Sequence, residues 1–207
     1  MDNTAGQVLW TDKLQKIRKT PVFNPVSFSL LAGEGMGVFG HNGCGKTTLL
    51  DILAGLQKAE RGEYSFCGPF GYVMQQDGFQ NSLSCYDNLL LEAALCGFPD
   101  AAARQRVMLS AEQYDLLPFL KKRLSRCSAG MRARLAIAAA MLPSPKLLLL
   151  DEAFAALDEK SQKKIISLLK EHKSAGMSIV MVSHTKTDFD GLCERVLLLP
   201  EAKEEFL

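Results

Sequence analysis

The sequence predicts an α/β fold: a mostly parallel sheet with helices packed on its faces. Three observations carry this expectation. The segments GMGVF (35–39), LLLL (147–150) and SIVMV (178–182) are short, apolar and free of charge, as expected of parallel strands buried on both faces. Each is followed within a few residues by polar groups, GHNGCGKTT, DE and SH in turn, and then by helical sequence. The carboxyl ends of parallel strands share one edge, which is where open sheets bind ligands. The three polar clusters are therefore expected to converge.

The remaining elements fill in around this sheet. VSFSLL (26–31), EYSF (63–66), GYVM (71–74) and RVLLL (195–199) read as strands, separated by turns such as Ala32-Gly33 and Gly68-Pro69. Residues 87–96, 101–113 and 129–142 read as helices with no strand between them. They predict a helical subdomain over 77–145, inserted into a single domain whose α/β core is 1–76 and 146–207. A further helix over 158–172 carries Ile165, Leu168 and Leu169 at helical spacing. The basic run Lys121-Lys122-Arg123 has no interleaved aromatics and reads as a solvated helix end.

Composition narrows the function classes. A chain of 207 residues can bury one sizeable core. With 24 Lys and Arg against 23 Asp and Glu it is nearly neutral, and no nucleic-acid partner is expected. The six cysteines form no CxxC pair, and MDNTAGQVLW lacks the basic-then-apolar pattern of a signal peptide. Reduced thiols in a cytosolic protein are expected. The apolar runs at 135–142 and 147–150 fall well short of the ~18 residues a membrane span needs.

The stretch Gly40-His41-Asn42-Gly43-Cys44-Gly45-Lys46-Thr47-Thr48 contains the phosphate-loop pattern GxxxxGK[ST], between a buried strand and a helix. Its glycines let successive N–H groups point inward at phosphates, and the helix N-terminus adds positive potential. Lys46 is expected to reach the β- and γ-phosphates, and Thr47 to ligate Mg²⁺. Beside such a loop, the Asp151-Glu152 pair predicts a metal-side acid in Asp151 and a general base for water in Glu152. His184 ends SIVMV on the same edge, within expected reach of the γ-phosphate. Gln75 follows GYVM and is expected at the metal or the attacking water, with Gln76 as its rival. Cys44, between two glycines near a helix N-terminus, is expected to be a reactive thiol.

CSAGMRARLAIAAAML (127–142) opens with small residues and then runs as a helix with Arg132 and Arg134 in its first turns. Ser128 is placed to cap it and Gly130 to allow close backbone approach, which makes the helix end a candidate anion site. A capped core helix reads equally well from these residues alone.

Taken in order, GHNGCGKTT, GYVMQ, CSAGMRARLAIAAAML, LLLLDE, AALD (155–158) and MVSH resemble the motifs of the nucleotide-binding subunit of ABC transporters, over most of the chain. The resemblance implies an ABC-type P-loop NTPase fold with an N-terminal antiparallel β part. It implies ATP and Mg²⁺ as cofactors, with Thr47, Gln75 and Asp151 on the metal and Glu152, His184 and Gln75 catalytic. It further implies a head-to-tail dimer in which Ser128, Ala129, Gly130 and Met131 grip ATP on a second ATPase subunit, identical or different. Asp158 would lie in the loop linking the two sites, and the segment after Gln75 would face an integral membrane permease. The protein would then sit in the cytoplasm, peripherally on the inner face of the cell membrane.

The sequence also departs from the family pattern. The usual signature is LSGGQ, whereas this chain has Cys127-Ser128-Ala129-Gly130-Met131, nearest to LSGGM-type exporters, with alanine for a glycine. The adenine-stacking aromatic is expected near Ile17, and the nearest aromatics are Trp10 and Phe23. The interval from Lys46 to Gln75 is compact, and no C-terminal regulatory domain is expected after RVLLL. These departures leave room for a catalytically weakened partner in a heterodimer. Against a soluble non-transport ABC ATPase, the chain shows neither tandem cassettes nor coiled coils. A phosphate-loop GTPase would need an NKxD, which is absent.

Overall fold

The computed structural model describes residues 6–184 and 189–199. In chain order these form β1 (Gln7–Gln15), β2 (Val26–Leu31), β3 (Gly35–Phe39), α1 (Lys46–Leu53), β4 (Arg61–Phe66), β5 (Phe70–Val73), α2 (Cys85–Leu95), α3 (Asp100–Gln113), α4 (Ala129–Met141), β6 (Leu147–Asp151), α5 (Glu159–Ser174), β7 (Ser178–Val182) and β8 (Arg195–Leu198). Five strands make a parallel sheet in the order β5-β6-β7-β3-β8. The three strands read from apolar runs are consecutive in it, so the polar clusters behind them start from one edge.

The unbroken apolar runs have a direct structural reason. Leu147, Leu149, Val180 and Val182 enter one core, shared with Leu9 and Leu14 of β1, Leu30 of β2 and Leu49, Leu50 and Leu53 of α1. Leu148, Leu150, Ile179 and Met181 enter the other, shared with Leu89 of α2, Val107 of α3, Leu135 of α4 and Leu169 of α5. Alternate residues of each strand thus face opposite dry layers, and the polar Ser178 at the start of β7 is buried with its hydroxyl donating to Leu31 O at 2.8 Å. Helices α2, α3 and α4 share their core with the sheet.

A second sheet is antiparallel, in the order β2-β1-β4, as the family resemblance implied. Strand β1 is not among the strands expected from sequence. Its register against both neighbours shifts around residues 11–15, and Lys13 sits there at φ 47°. This irregularity interrupts the two-residue alternation by which strands are recognised.

Several ends differ from expectation. The helix expected from residue 87 begins at Cys85, because Ser84 Oγ accepts from the Asp87 N–H while the Asp87 carboxylate accepts from the Ser84 N–H. The helix expected over 158–172 runs from Glu159 to Ser174, with Asp158 as its cap. Those expected over 101–113 and 129–142 are Asp100–Gln113 and Ala129–Met141, and the strands at 71–74 and 195–199 are Phe70–Val73 and Arg195–Leu198. Lys121, Lys122 and Arg123 are exposed, as expected, but they join two short 3-10 turns, Leu117–Phe119 and Leu124–Arg126, and end no α-helix.

Among the described residues, no helix is long and apolar enough to cross a membrane. The residues at 1–5, 185–188 and 200–207 fall outside the described part of the chain, so the expectation about its C-terminal end lies there too.

Candidate functional site

The loop after β3 turns back on itself through Gly43 at φ 82° and Gly45 at φ 98°, backbone that only glycine adopts without strain. Gly45 is also the N-cap of α1 and offers no capping side chain, so the first N–H groups of that helix are left to the loop. Phe23 and Val22 back the turn: a Cβ on Gly45 would lie 2.8 Å from the Phe23 ring. Lys46, at 6% exposure, folds its ammonium across the loop and donates to Gly40 O at 2.8 Å and His41 O at 2.9 Å. A cation held by two carbonyls beside a helix N-terminus is matched to an anion with several oxygens.

Cys44 corrects the expectation of a reactive thiol. It is 2% exposed, and its sulfur fills the space beneath Gly40, where a Cβ would come within 2.6 Å of it. Nearness to a helix N-terminus does not give a reagent access to a buried sulfur.

Asp151, the last residue of β6, is 1% exposed, and neither carboxylate oxygen has a hydrogen-bond partner of good geometry. Burial pushes its pKa up and the carboxylates of Glu152 and Asp51 add to this, while the Thr47 hydroxyl and Lys46 partly offset the rise. An orphaned carboxylate beside a threonine hydroxyl is a donor set for a hard dication such as Mg²⁺. That ion takes one or two protein oxygens and completes its shell with water and phosphate. Among the described residues no cluster of three acidic, His or Cys groups exists that would cage a metal on its own. Thr47 and Asp151 therefore fit Mg²⁺ bound together with a phosphate ligand.

Glu152 continues from β6 but leaves the strand conformation, at φ 50°. Its N–H still donates to Val182 O of β7 at 3.0 Å, which pins a residue in the sparsely populated left-handed region. The turn aims its carboxylate at the neighbouring strand ends. Oε1 lies 2.5 Å from His184 Nε2, and Oε2 accepts from Gln75 Nε2 at 3.4 Å. Gln75, rather than Gln76, has this contact. The structure thus joins three strand ends, of β5, β6 and β7, in one group of side chains.

Ser128, Ala129, Gly130 and Met131 stand elsewhere. Ser128 caps α4, its Oγ accepting from Met131 N–H at 3.2 Å, and Ser128 and Ala129 are exposed. A Cβ on Gly130 would lie 3.0 Å from Ala156 O, so this helix end packs on the turn that leads from Glu152 to α5. Asp158, at the end of that turn, accepts from the amide and hydroxyl of Ser161, and these bonds hold its carboxyl below the usual range. The two arginines of α4 face protein groups. Arg134 donates to Asp115 O and lies 5.0 Å from the Phe119 ring centroid. Arg132 grips Asp77 with two bonds, at 2.8 and 3.0 Å, and donates to Asn81 at 2.8 Å. Sequence reasoning missed this link. The pair is 55 residues apart, and no spacing rule connects them.

Ile17 is tied by an isolated bridge to Pro21. Of the two aromatics nearest to it in sequence, Phe23 is wholly buried behind the phosphate loop and has no face free to stack on a base. Trp10 is half-buried within β1.

Comparisons with known proteins identify the family and the fold. The family model described as "ABC transporter" matches residues 23–155. The teichoic acids export ATP-binding protein TagH of Listeria innocua is 29% identical over 189 residues, 91% of this chain and 56% of that protein. The chain thus spans little more than half the length of that relative. The O-antigen export system ATP-binding protein RfbB of Klebsiella pneumoniae is 31% identical over 186 residues, covering 89% of this chain and 76% of that one. The dimeric ATP-binding cassette MJ0796, in a post-hydrolysis state with ADP and Pi, has the same fold. Its TM-score is 0.86 at 24% identity, over 94% of this chain and 96% of that chain. One family match takes in the phosphate loop, the orphaned Asp151, the strained Glu152 and the capped CSAGM segment together, and the chain belongs to the ABC transporter family.

Proposed function

We propose that the chain is an ATP-hydrolysing subunit of an ABC transporter, working as a dimer on a separate membrane permease. The observation that carries the reading is Glu152, held at positive φ with its two carboxylate oxygens against His184 and Gln75, beside the phosphate loop and Asp151. Strain at a residue that meets two other strand ends is the mark of a positioned reactive group.

In this reading Gly40, His41, Asn42, Gly43, Cys44, Gly45, Lys46, Thr47 and Thr48 form the nucleotide cradle. The Lys46 ammonium exchanges the carbonyls of Gly40 and His41 for oxygens of the β- and γ-phosphates. Thr47, Asp151 and Gln75 hold Mg²⁺, which neutralises phosphate charge when bound. A water attacks the γ-phosphorus, the bond to the bridging oxygen of ADP breaks, and the water's proton passes to Glu152. His184 and Gln75 keep that carboxylate in line, and His184 also contacts the γ-phosphate. Ser128, Ala129, Gly130 and Met131 present the exposed N-terminus of α4 to ATP held by a second subunit, identical or not. A cytoplasmic place on the inner face of the membrane follows from a partnership with a permease. The names of the relatives, ATP-binding proteins of export systems, support that partnership.

The test uses Glu152→Gln, which removes the base and keeps size and hydrogen bonding. MgATP, and not MgADP, is expected to convert this variant from monomer to dimer in light scattering, and adding Ser128→Arg is expected to abolish the shift. A dimer that forms equally with ADP, or survives Ser128→Arg, would refute the assignment of α4 to a shared ATP site.

A further inference from the structure

We propose that Cys85 and Cys127 form an oxidisable dithiol, a modification site whose disulfide displaces the CSAGM segment. The effect on the dimer rests on the function proposed above; the chemistry of the pair does not. Their sulfurs lie 3.5 Å apart across 42 residues of sequence. Both are free thiols. Backbone bonds set the approach. Cys85 N–H donates to Lys122 O at 3.0 Å, Tyr86 N–H to Leu120 O at 2.8 Å, Leu124 N–H to Leu83 O at 2.9 Å and Ser125 N–H to Asn81 O at 3.1 Å. The segments at 81–86 and 120–125 are thus stitched together, which holds Cys85 beside the chain that leads, two residues past the ladder, to Cys127.

The two thiols differ in access. Cys85, at the first turn of α2, is 0% exposed, and burial, with the neighbouring Cys127 thiol, pushes its pKa up to about 12. Cys127 is half-buried, directly before the cap of α4. It is therefore the sulfur that an oxidant meets first. With a low-molecular-weight disulfide such as oxidised glutathione, the Cys127 thiolate attacks one sulfur and releases one glutathione thiolate, leaving a mixed disulfide. Cys85 then loses its proton to that thiolate and attacks the Cys127 sulfur, releasing the second glutathione. The balance is one protein dithiol and one oxidised glutathione giving one protein disulfide and two reduced glutathiones.

A disulfide is about 2.05 Å long, so the sulfurs must close by roughly 1.5 Å. Cys85 is packed within the core and cannot give much way. Cys127 moves instead and takes Ser128 with it. The hydroxyl that caps Met131 N–H, and the exposed amides of α4 beside it, then leave the position in which they would meet the partner's ATP.

Oxidised glutathione is added to the full chain, free thiols are alkylated, and the protein is digested without reductant and mapped by mass spectrometry. The expected result is a Cys85–Cys127 cross-linked peptide and loss of alkylation at both residues, reversed by dithiothreitol, with exposed Cys67 and Cys96 as the internal reference. In the Glu152→Gln protein, oxidation is expected to abolish the MgATP-dependent dimer and dithiothreitol to restore it. In the Cys85→Ala form Cys127 lacks its resolving partner, so no cross-linked peptide should appear and the glutathione mixed disulfide should persist at Cys127. Mixed disulfides at Cys67 and Cys96 without the cross-link overturn the proposal. A cross-link that leaves the dimer intact overturns its control of the CSAGM segment. Reduced Glu152→Gln protein that fails to dimerise counts against the proposed function, and the peptide map alone then decides the dithiol.

Discussion

Cutting the ion pair between Arg132 and Asp77 should weaken both the fold and catalysis, by an amount that its geometry bounds. The guanidinium makes two parallel bonds to the carboxylate, at 2.8 and 3.0 Å, and the side chains are 28% and 16% exposed. Exposed pairs couple by about 0.2–1 kcal/mol, and breaking a fully buried one costs about 3–5 kcal/mol. This pair lies between those limits and is bidentate, so a coupling of about 1–2 kcal/mol is expected. Urea unfolding of wild type, Arg132→Ala, Asp77→Ala and the double variant gives the coupling directly, provided the slopes agree. Arg132→Lys keeps the charge but loses the planar fork, and should recover less than half of it. Asp77 is two residues from Gln75 and Arg132 four from Ser128, so the pair joins the segment that reaches Glu152 to the capped end of α4. ATPase turnover is therefore expected to fall several-fold in Arg132→Ala while ATP affinity holds. A coupling under about 0.5 kcal/mol, or unchanged turnover, would show that the pair is only a surface contact.

Two further outcomes follow from the site. Lys46→Ala should lose most ATP affinity in calorimetry, since it removes the side-chain cation that now spans the carbonyls of Gly40 and His41; unchanged affinity would mean that the loop does not hold the phosphates. Burial raises the pKa of Asp151. Its contribution to stability is therefore intact below the ordinary carboxylate range and lost as pH rises through the raised value. Asp151→Asn should accordingly be more stable than wild type by about 1–2 kcal/mol at neutral pH without nucleotide, and lose that advantage in acid. It should also fail to hydrolyse ATP, and an Asn variant that melts lower at neutral pH would contradict the picture of an orphaned buried charge.

The central sheet was legible because its strands are buried on both faces, so LLLL and IVMV run as unbroken apolar sequence. The phosphate loop was legible because glycine, lysine and threonine are required at fixed local offsets, within the span of one turn. Local rules of this kind also placed the cap of α4 at Ser128 and the acids at the end of β6. Strand β1 escaped because a register shift near Lys13 breaks its alternation. The reactive Cys44 expected from sequence proved to be buried, since exposure depends on what packs above a residue and not on its neighbours in the chain.

Short-range requirements are written in the chain: which segments must be dry, which turn can cradle an anion, and which residues are chemically able to bind metal or move a proton. Which of these residues meet is set by the folded layers. They brought Gln75, Glu152 and His184 together from three strands, turned Arg132 away from solvent onto Asp77, left Asp151 unpartnered, and set Cys85 against Cys127. These meetings depend on strand order and on helices packed over the sheet. Contacts between residues 32 to 77 positions apart follow from the packing of whole layers and have no period or spacing in the chain to reveal them.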